Sequence, residues 1–219
     1  MSWMATERFG AHTAPDGLAL VQELVNTHAV ARDGTDLLAD HVTAQQWLRG
    51  AAGQWASVRG LEPPELSLSR TDLHALRELR AVVQEMLAIP PGQRPAGPFS
   101  GMETVTQRAQ AQLVSDRRGQ VTMVPLGTGS SWLASAVWSE ILLAQHSSAW
   151  SRIKLCREPG CRTAFYDASR NGSGTWHNVR TCGNITNLRA SRARKKTQAK
   201  SHGSTPATSG RGQAAPRQN

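Results

Sequence analysis

The sequence predicts a mainly α protein: a helical N-terminal domain with one small β-hairpin, then a short cysteine-bearing module and a basic helix. Three observations lead there. Apolar residues before residue 150 recur at helical spacing in four separate stretches. All three cysteines fall within 27 residues of one another, after 155 residues that contain none. The charge divides at the same place, with 14 Lys/Arg against Glu158 and Asp167 from residue 152 onward, and 11 Lys/Arg against 14 acids before it. The formal charge of +9 is therefore −3 on the body and +12 on the C-terminal part. At 219 residues there is room for one medium domain with a small appendage.

Taken in order, residues 1–16 read as a flexible lead-in that ends in the turn Pro15-Asp16-Gly17. The domain expected over 17–150 opens with LALVQELVNTHAVAR, which carries Leu18, Val21, Leu24, Val25 and Val30 at helical spacing. HVTAQQWLRGAAGQWASVRG reads as a shorter helix bearing Val42, Trp47 and Leu48, broken near Gly50 and Gly53. DLHALRELRAVVQEMLA is the clearest helix. Its stripe is Leu73, Leu76, Leu79, Val83, Met86 and Leu87, with Ser69 and Asp72 as the cap signal. Pro90-Pro91-Gly92 stops it, and PPGQRPAGPFSG reads as a loop. LVSDRRGQVTMV alternates about a Gly119-containing turn, as a hairpin does. GTGSS supplies a turn and a serine cap for a last body helix with Trp132, Leu133, Val137, Ile141 and Leu143 inward.

The chemistry sits in Cys156-x4-Cys161-x15-His177-x4-Cys182. Two short knuckles separated by a longer loop can fold four N/S ligands around one tetrahedral ion. Three thiolates and one imidazole suit a single structural Zn2+ and leave no open position for a reacting water. Three unrelated buried thiols are the plainer alternative, which the empty 155 residues upstream disfavour. Disulfides fit poorly, because the count is odd and no secretory or membrane-length apolar segment precedes them. The small module needs the metal for its core, with Phe165 and Trp176 as its apolar residues, and it should therefore unfold separately from the body on metal removal.

Other features point to no catalysis. Gly127-Thr128-Gly129 lacks the Lys-Ser/Thr of a phosphate loop, and His28, His41, His74 and His146 are isolated. No Ser-His-Asp order, carboxylate pair or dinucleotide fingerprint can be assembled, so no enzyme activity is expected. The seven tryptophans read chiefly as core anchors, with Trp47 and Trp55 open to a pocket role. A basic module on a mildly acidic body is the footprint of a polyanion-binding protein of the cytoplasm, with no membrane association.

The run Cys156…Cys161-x3-Phe165-x-Asp167-x-Ser169-Arg170…Trp176…Cys182-Gly183-Asn184 resembles the CGNR zinc-finger family. LVNT (24–27), ALRELRAVVQEML (75–87) and the helix leading into the finger resemble the helical domain, called ABATE, that usually accompanies it. The resemblance implies a bacterial, stress-induced transcription regulator: the finger binds DNA, and the helical domain senses a small-molecule ligand or forms a homodimer. Two departures stand out. His177 replaces the usual cysteine, giving a Cys3His set, and Ile185 replaces the signature's final arginine, with Gly172-Ser173-Gly174-Thr175 where basic residues are usual. Gly183 is expected to turn backbone N–H groups toward the thiolates. Asp167, Ser169 and Arg170 read either as a brace for the loop or, for Arg170, as a phosphate contact.

Within the module expected over 151–196, NITNLRASRARKK reads as a capped helix with Arg189, Arg192 and Lys196 on one face, flanked by Arg194 and Lys195. With Arg170 and Arg180 these are the candidate contacts to duplex DNA, at a nucleoid location. Residues 197–219 are poor in apolar residues and are expected to be disordered. Docking to an acidic protein and RNA binding are the rival roles for the same charge, the latter with only Phe165 and Tyr166 to stack on bases.

Overall fold

The computed structural model describes residues 3–29, 34–94 and 109–202, with side chains up to Lys195. Among the described residues five α-helices precede the cysteine module: α1 (Met4–Glu7), α2 (Leu18–Val25), α3 (His41–Arg59), α4 (Asp72–Ala88) and α5 (Gly129–His146). An antiparallel hairpin, β1 (Ala111–Ser115) and β2 (Val121–Pro125), stands between α4 and α5. The module adds a second antiparallel pair, β3 (Ile153–Leu155) and β4 (Ala164–Tyr166), then one π-helical turn (Val179–Gly183) and α6 (Asn184–His202). No helix among the described residues is long and apolar enough to cross a membrane.

The body is built around α2, all eight residues of which are buried, Gln22 and Glu23 included. A helix enclosed on every side must satisfy its polar side chains internally. Glu23 does so by accepting the amides of Ala5 (2.7 Å) and Thr6 (2.9 Å) and the indole N–H of Trp47 (3.3 Å). Burial nonetheless pushes its pKa above the ordinary value. These bonds overturn the flexible lead-in. Trp3, Ala5, Thr6 and Ala14 are buried and α1 packs on α2, so the segment before residue 17 contributes side chains to the core.

The structure corrects three helix readings. The helix opening at Leu18 stops at Val25 rather than running on, because Asn26 and Thr27 turn their buried side chains to specific partners; Val30 lies outside the described residues. α3 continues unbroken through Gly50 and Gly53. Each glycine costs roughly 1 kcal/mol in a helix interior, and the buried face of Ala44, Trp47, Leu48, Ala51, Ala52, Trp55 and Ala56 outweighs that, between an Asp40 cap and a left-handed Gly60. Val42 and Leu143 point outward instead of into the core. The cap of α5 is Thr128, reciprocated by Ser131, in place of a serine. α4 matches its expected span, and the carboxylate of Asp72 accepts the Ser69 amide (2.7 Å) while also taking the Ser130 amide of α5 (3.0 Å). The loop expected after Pro90 falls, from residue 95 on, outside the described residues.

Trp47 and Trp55 are core residues, 1% and 2% exposed. The Trp55 indole N–H donates to Glu140 (2.8 Å), which Arg59 also grips through Nε (2.7 Å) and a second, shorter bond from Nη2. The boundary expected at residue 150 is not a break in packing. Ile153 and Ala164 are fully buried in the same apolar cluster as the helices, with Leu155 and Tyr166 against it.

Gly17 abuts Glu140 so closely that an added Cβ would overlap its carboxylate. Gly17→Ala should therefore destabilise the chain by about 1–3 kcal/mol, the usual cost of overpacking, as read by urea unfolding. An unchanged midpoint would show that the ion pair moves aside freely.

Candidate metal centre

β3 delivers Cys156 and β4 starts just after Cys161, so the two strands act as the stem of the first knuckle, with Leu155 opposite Ala164. Across the stem the Cys156 amide donates to Thr163 O (2.8 Å), and the knuckle closes with Cys161 N to Glu158 O (2.9 Å). Arg162, following it, sits in the left-handed region at φ 52°. The second knuckle is the π-helical turn. The Asn178 side chain caps it by accepting the amides of Arg180 (2.9 Å) and Thr181 (3.3 Å), and Cys182 N returns to Asn178 O (3.0 Å).

Asp167 holds the loop between the knuckles. Its buried carboxylate accepts Lys154 Nζ (2.7 Å) and the amides of Ser169 (3.0 Å) and Gly174 (2.6 Å), while Lys154 also donates to Gly172 O. Burial works to raise the Asp167 pKa, and these donors outweigh it, holding the carboxyl well below its ordinary value. A Cβ at Gly174 would come within 2.7 Å of that carboxyl, which is a packing reason for glycine at this position. The brace is thus Asp167, Ser169 and Lys154; Arg170 is exposed outside it.

One ligand atom from each of Cys156, Cys161, His177 and Cys182 lies within 4.8 Å of every other. His177 presents Nδ1, 3.3 Å from Cys161 Sγ and 3.6 Å from Cys182 Sγ. Tetrahedral zinc with Zn–S of about 2.3 Å and Zn–N of about 2.1 Å sets ligand edges of about 3.6–3.8 Å, so the four atoms fit one ion. The three sulfurs are buried, with Trp176 packed on them. A hydrogen bond from the Cys156 thiol, opposed by burial and aided by His177 and Thr163, lowers the Cys161 pKa. The same pairing and burial raise Cys156, and burial raises Cys182. The protein alone therefore stabilises one thiolate, and a divalent cation is what holds three. The amides of Glu158 and His177 point at the Cys156 sulfur, as outer-sphere donors do. Gly183 is not among these donors. Its amide closes the π turn on Asn178 O (3.4 Å), and a Cβ there would press on Trp176 at 3.2 Å. Phe165 is buried outside the cysteine cluster, leaving Trp176 as the apolar cover of the sulfurs.

α6 begins at Asn184 and is locked to the first knuckle through buried Glu158. Thr186 Oγ1 donates to Glu158 Oε2 (2.9 Å) and Arg189 to Oε1 (2.5 Å). Burial would raise the Glu158 pKa, and the Thr186 and Arg189 contacts overcome it, keeping the group ionised. Arg189 is therefore a bracing residue with its charge already matched. Arg180, Arg192, Arg194 and Lys195 are exposed; the Lys196 side chain lies outside the described residues. The helix continues to His202, past the end expected at 196, and of the tail expected to be disordered, residues 203–219 lie outside the described part. Sequence reasoning missed Glu158, Lys154, Asn178 and Thr163. Glu158 alone left a trace, as one of only two acids in the basic segment.

Residues 152–195 match the family model of the CGNR zinc finger. That segment, with its Cys3His site, is a zinc-finger module holding one structural zinc ion. The match begins at Arg152 and does not extend to the helical part. No curated protein matches the chain.

Metal analysis of purified protein should return one zinc per chain. His177→Ala should weaken zinc retention by more than the roughly 10–100-fold that follows loss of an outer hydrogen bond, whereas His146→Ala, an exposed position on α5, should leave it unchanged. Asp167→Asn should destabilise the zinc-loaded chain by about 3–5 kcal/mol at pH 7, since it strands Lys154. A carboxyl with a depressed folded pKa stabilises above its ordinary value of 3.8 and loses that effect as pH falls. The gap between parent and variant should accordingly be constant above about pH 5 and narrow below it; a gap that widens on acidification would contradict the assignment.

Proposed function

We propose that this chain is a DNA-binding transcription regulator of the cytoplasm, in which the zinc finger presents α6 to duplex DNA. The observation that carries the reading is the charge of that helix and its surroundings. Arg180, Arg192, Arg194 and Lys195 are exposed, and no acidic residue follows Asp167 in the sequence. Such a surface matches a phosphate backbone, which supplies most of the affinity in nucleic-acid complexes. The centre has four protein ligands and no open position, so it organises a surface and activates no water. Binding rather than catalysis is therefore the proposed activity. The helical part, similar to the ABATE type, is assigned a sensing or dimerising role.

A second reading has its own observation. Val179 and Leu188 are exposed apolar residues, 67% and 57%, on the same knuckle and helix. An acidic protein with an apolar patch would also suit that surface.

The two readings part on salt dependence. Binding to duplex DNA should weaken steeply between 50 and 200 mM salt, with a log–log slope of about −0.9 per phosphate contacted. Replacing Arg192, Arg194 and Lys195 together with alanine should flatten that slope by up to about three units and weaken all duplex sequences alike. A triple variant that binds duplex as tightly as the parent would favour the protein-docking reading.

A further inference from the structure

Side chains of α2 and of the turn after it join body to finger by gripping the backbone of one residue of β4, Ala164. Asn26, fully buried, accepts the Ala164 amide on Oδ1 (2.8 Å) and donates from Nδ2 to the Ala164 carbonyl (3.0 Å). One side-chain amide thus supplies both bonds that a neighbouring strand would give β4 at this residue. Gln22, also fully buried, donates a further bond to the Ala164 carbonyl (3.1 Å), while Tyr166 N donates to His12 O (3.1 Å) in the N-terminal segment. Nε2 of His28 lies 3.1 Å from the carbonyl oxygen of Cys161.

The gripped residue stands next to the metal ligands. Ala164 pairs with Leu155, the residue before Cys156. Its predecessor Thr163 receives the Cys156 amide (2.8 Å) and lies 3.0 Å, Oγ1 to Sγ, from Cys161. Fixing Ala164 fixes the spacing of two of the four ligands. We infer that Asn26 is a positioning residue of the zinc centre, so that the helical body sets the affinity of the finger for its metal, and zinc in return stabilises α2. The reciprocity follows from linkage: whatever α2 contributes to zinc binding, zinc contributes to the order of α2. The coupling is intramolecular and independent of any nucleic acid. It replaces the expectation that finger and body unfold as separate units.

The test uses the full chain and zinc itself as the probe. Zinc affinity, measured by competition with a chromophoric chelator, should fall about 10–100-fold in Asn26→Ala, the range seen for lost outer-sphere partners. Leu48→Ala, a fully buried site on α3, serves as the control for loss of stability alone and should stay within about threefold of the parent. A second measurement stands without any variant. Stripping zinc from the parent chain should raise amide exchange across Leu20–Asn26 in step with exchange in β4. The inference is overturned if Asn26→Ala holds zinc as the parent does, or loses no more than Leu48→Ala. Where Asn26→Ala does not fold, exchange in the parent decides: α2 protection unaltered by chelation overturns it.

Discussion

Three sulfurs and an imidazole nitrogen held within 4.8 Å of one another are an unfavourable arrangement for a protein by itself. Burial of the thiols opposes ionisation, and the hydrogen bonds among them support one thiolate, at Cys161, at the expense of Cys156. A divalent ion at the centre reverses that balance, because it attracts every ligand and makes their closeness favourable. The remainder of the C-terminal part is arranged around this constraint. The β3–β4 stem spaces the first two ligands, Asp167 shapes the loop to His177, and the Asn178-capped π turn presents Cys182. The resulting cluster is closed, and its chemistry is that of a folding nucleus.

What lies on either side of the nucleus differs in character. Outward, α6 leaves Cys182 as a solvated helix, fastened at its first turns by Glu158 through Thr186 and Arg189. A carboxylate committed to Arg189 orients the helix while leaving the cations further along it exposed. Inward, the stem is welded to the helices by apolar packing at Ile153 and Ala164 and by the Asn26 amide. Metal, helix orientation and body core therefore belong to one network.

The ligand set was readable because metal coordination imposes residue types and spacings that stand out in a chain otherwise without cysteine. α4 and the hairpin were readable because their periodicities are strong and local. The packed N-terminus was not: the amides of Ala5 and Thr6 are held by Glu23, contacts between residues 18 and 17 apart that local pattern cannot express. α3 defeated its two glycines through long-range burial, which propensity does not count. Arg189 looked like any surface cation, and only the fold brings Glu158 to it. Asn26 was visible within LVNT, but its role as a mimic of a strand edge required β4 to be beside it.

Zinc K-edge absorption spectroscopy on the purified chain addresses the centre most directly. Ligation by Cys156, Cys161, His177 and Cys182 predicts a first shell of three sulfurs at about 2.3 Å and one nitrogen at about 2.0–2.1 Å, with imidazole outer-shell scattering from one ring. A shell with two sulfurs and two light atoms, or one that includes a water, would contradict the closed Cys3His site on which the account rests.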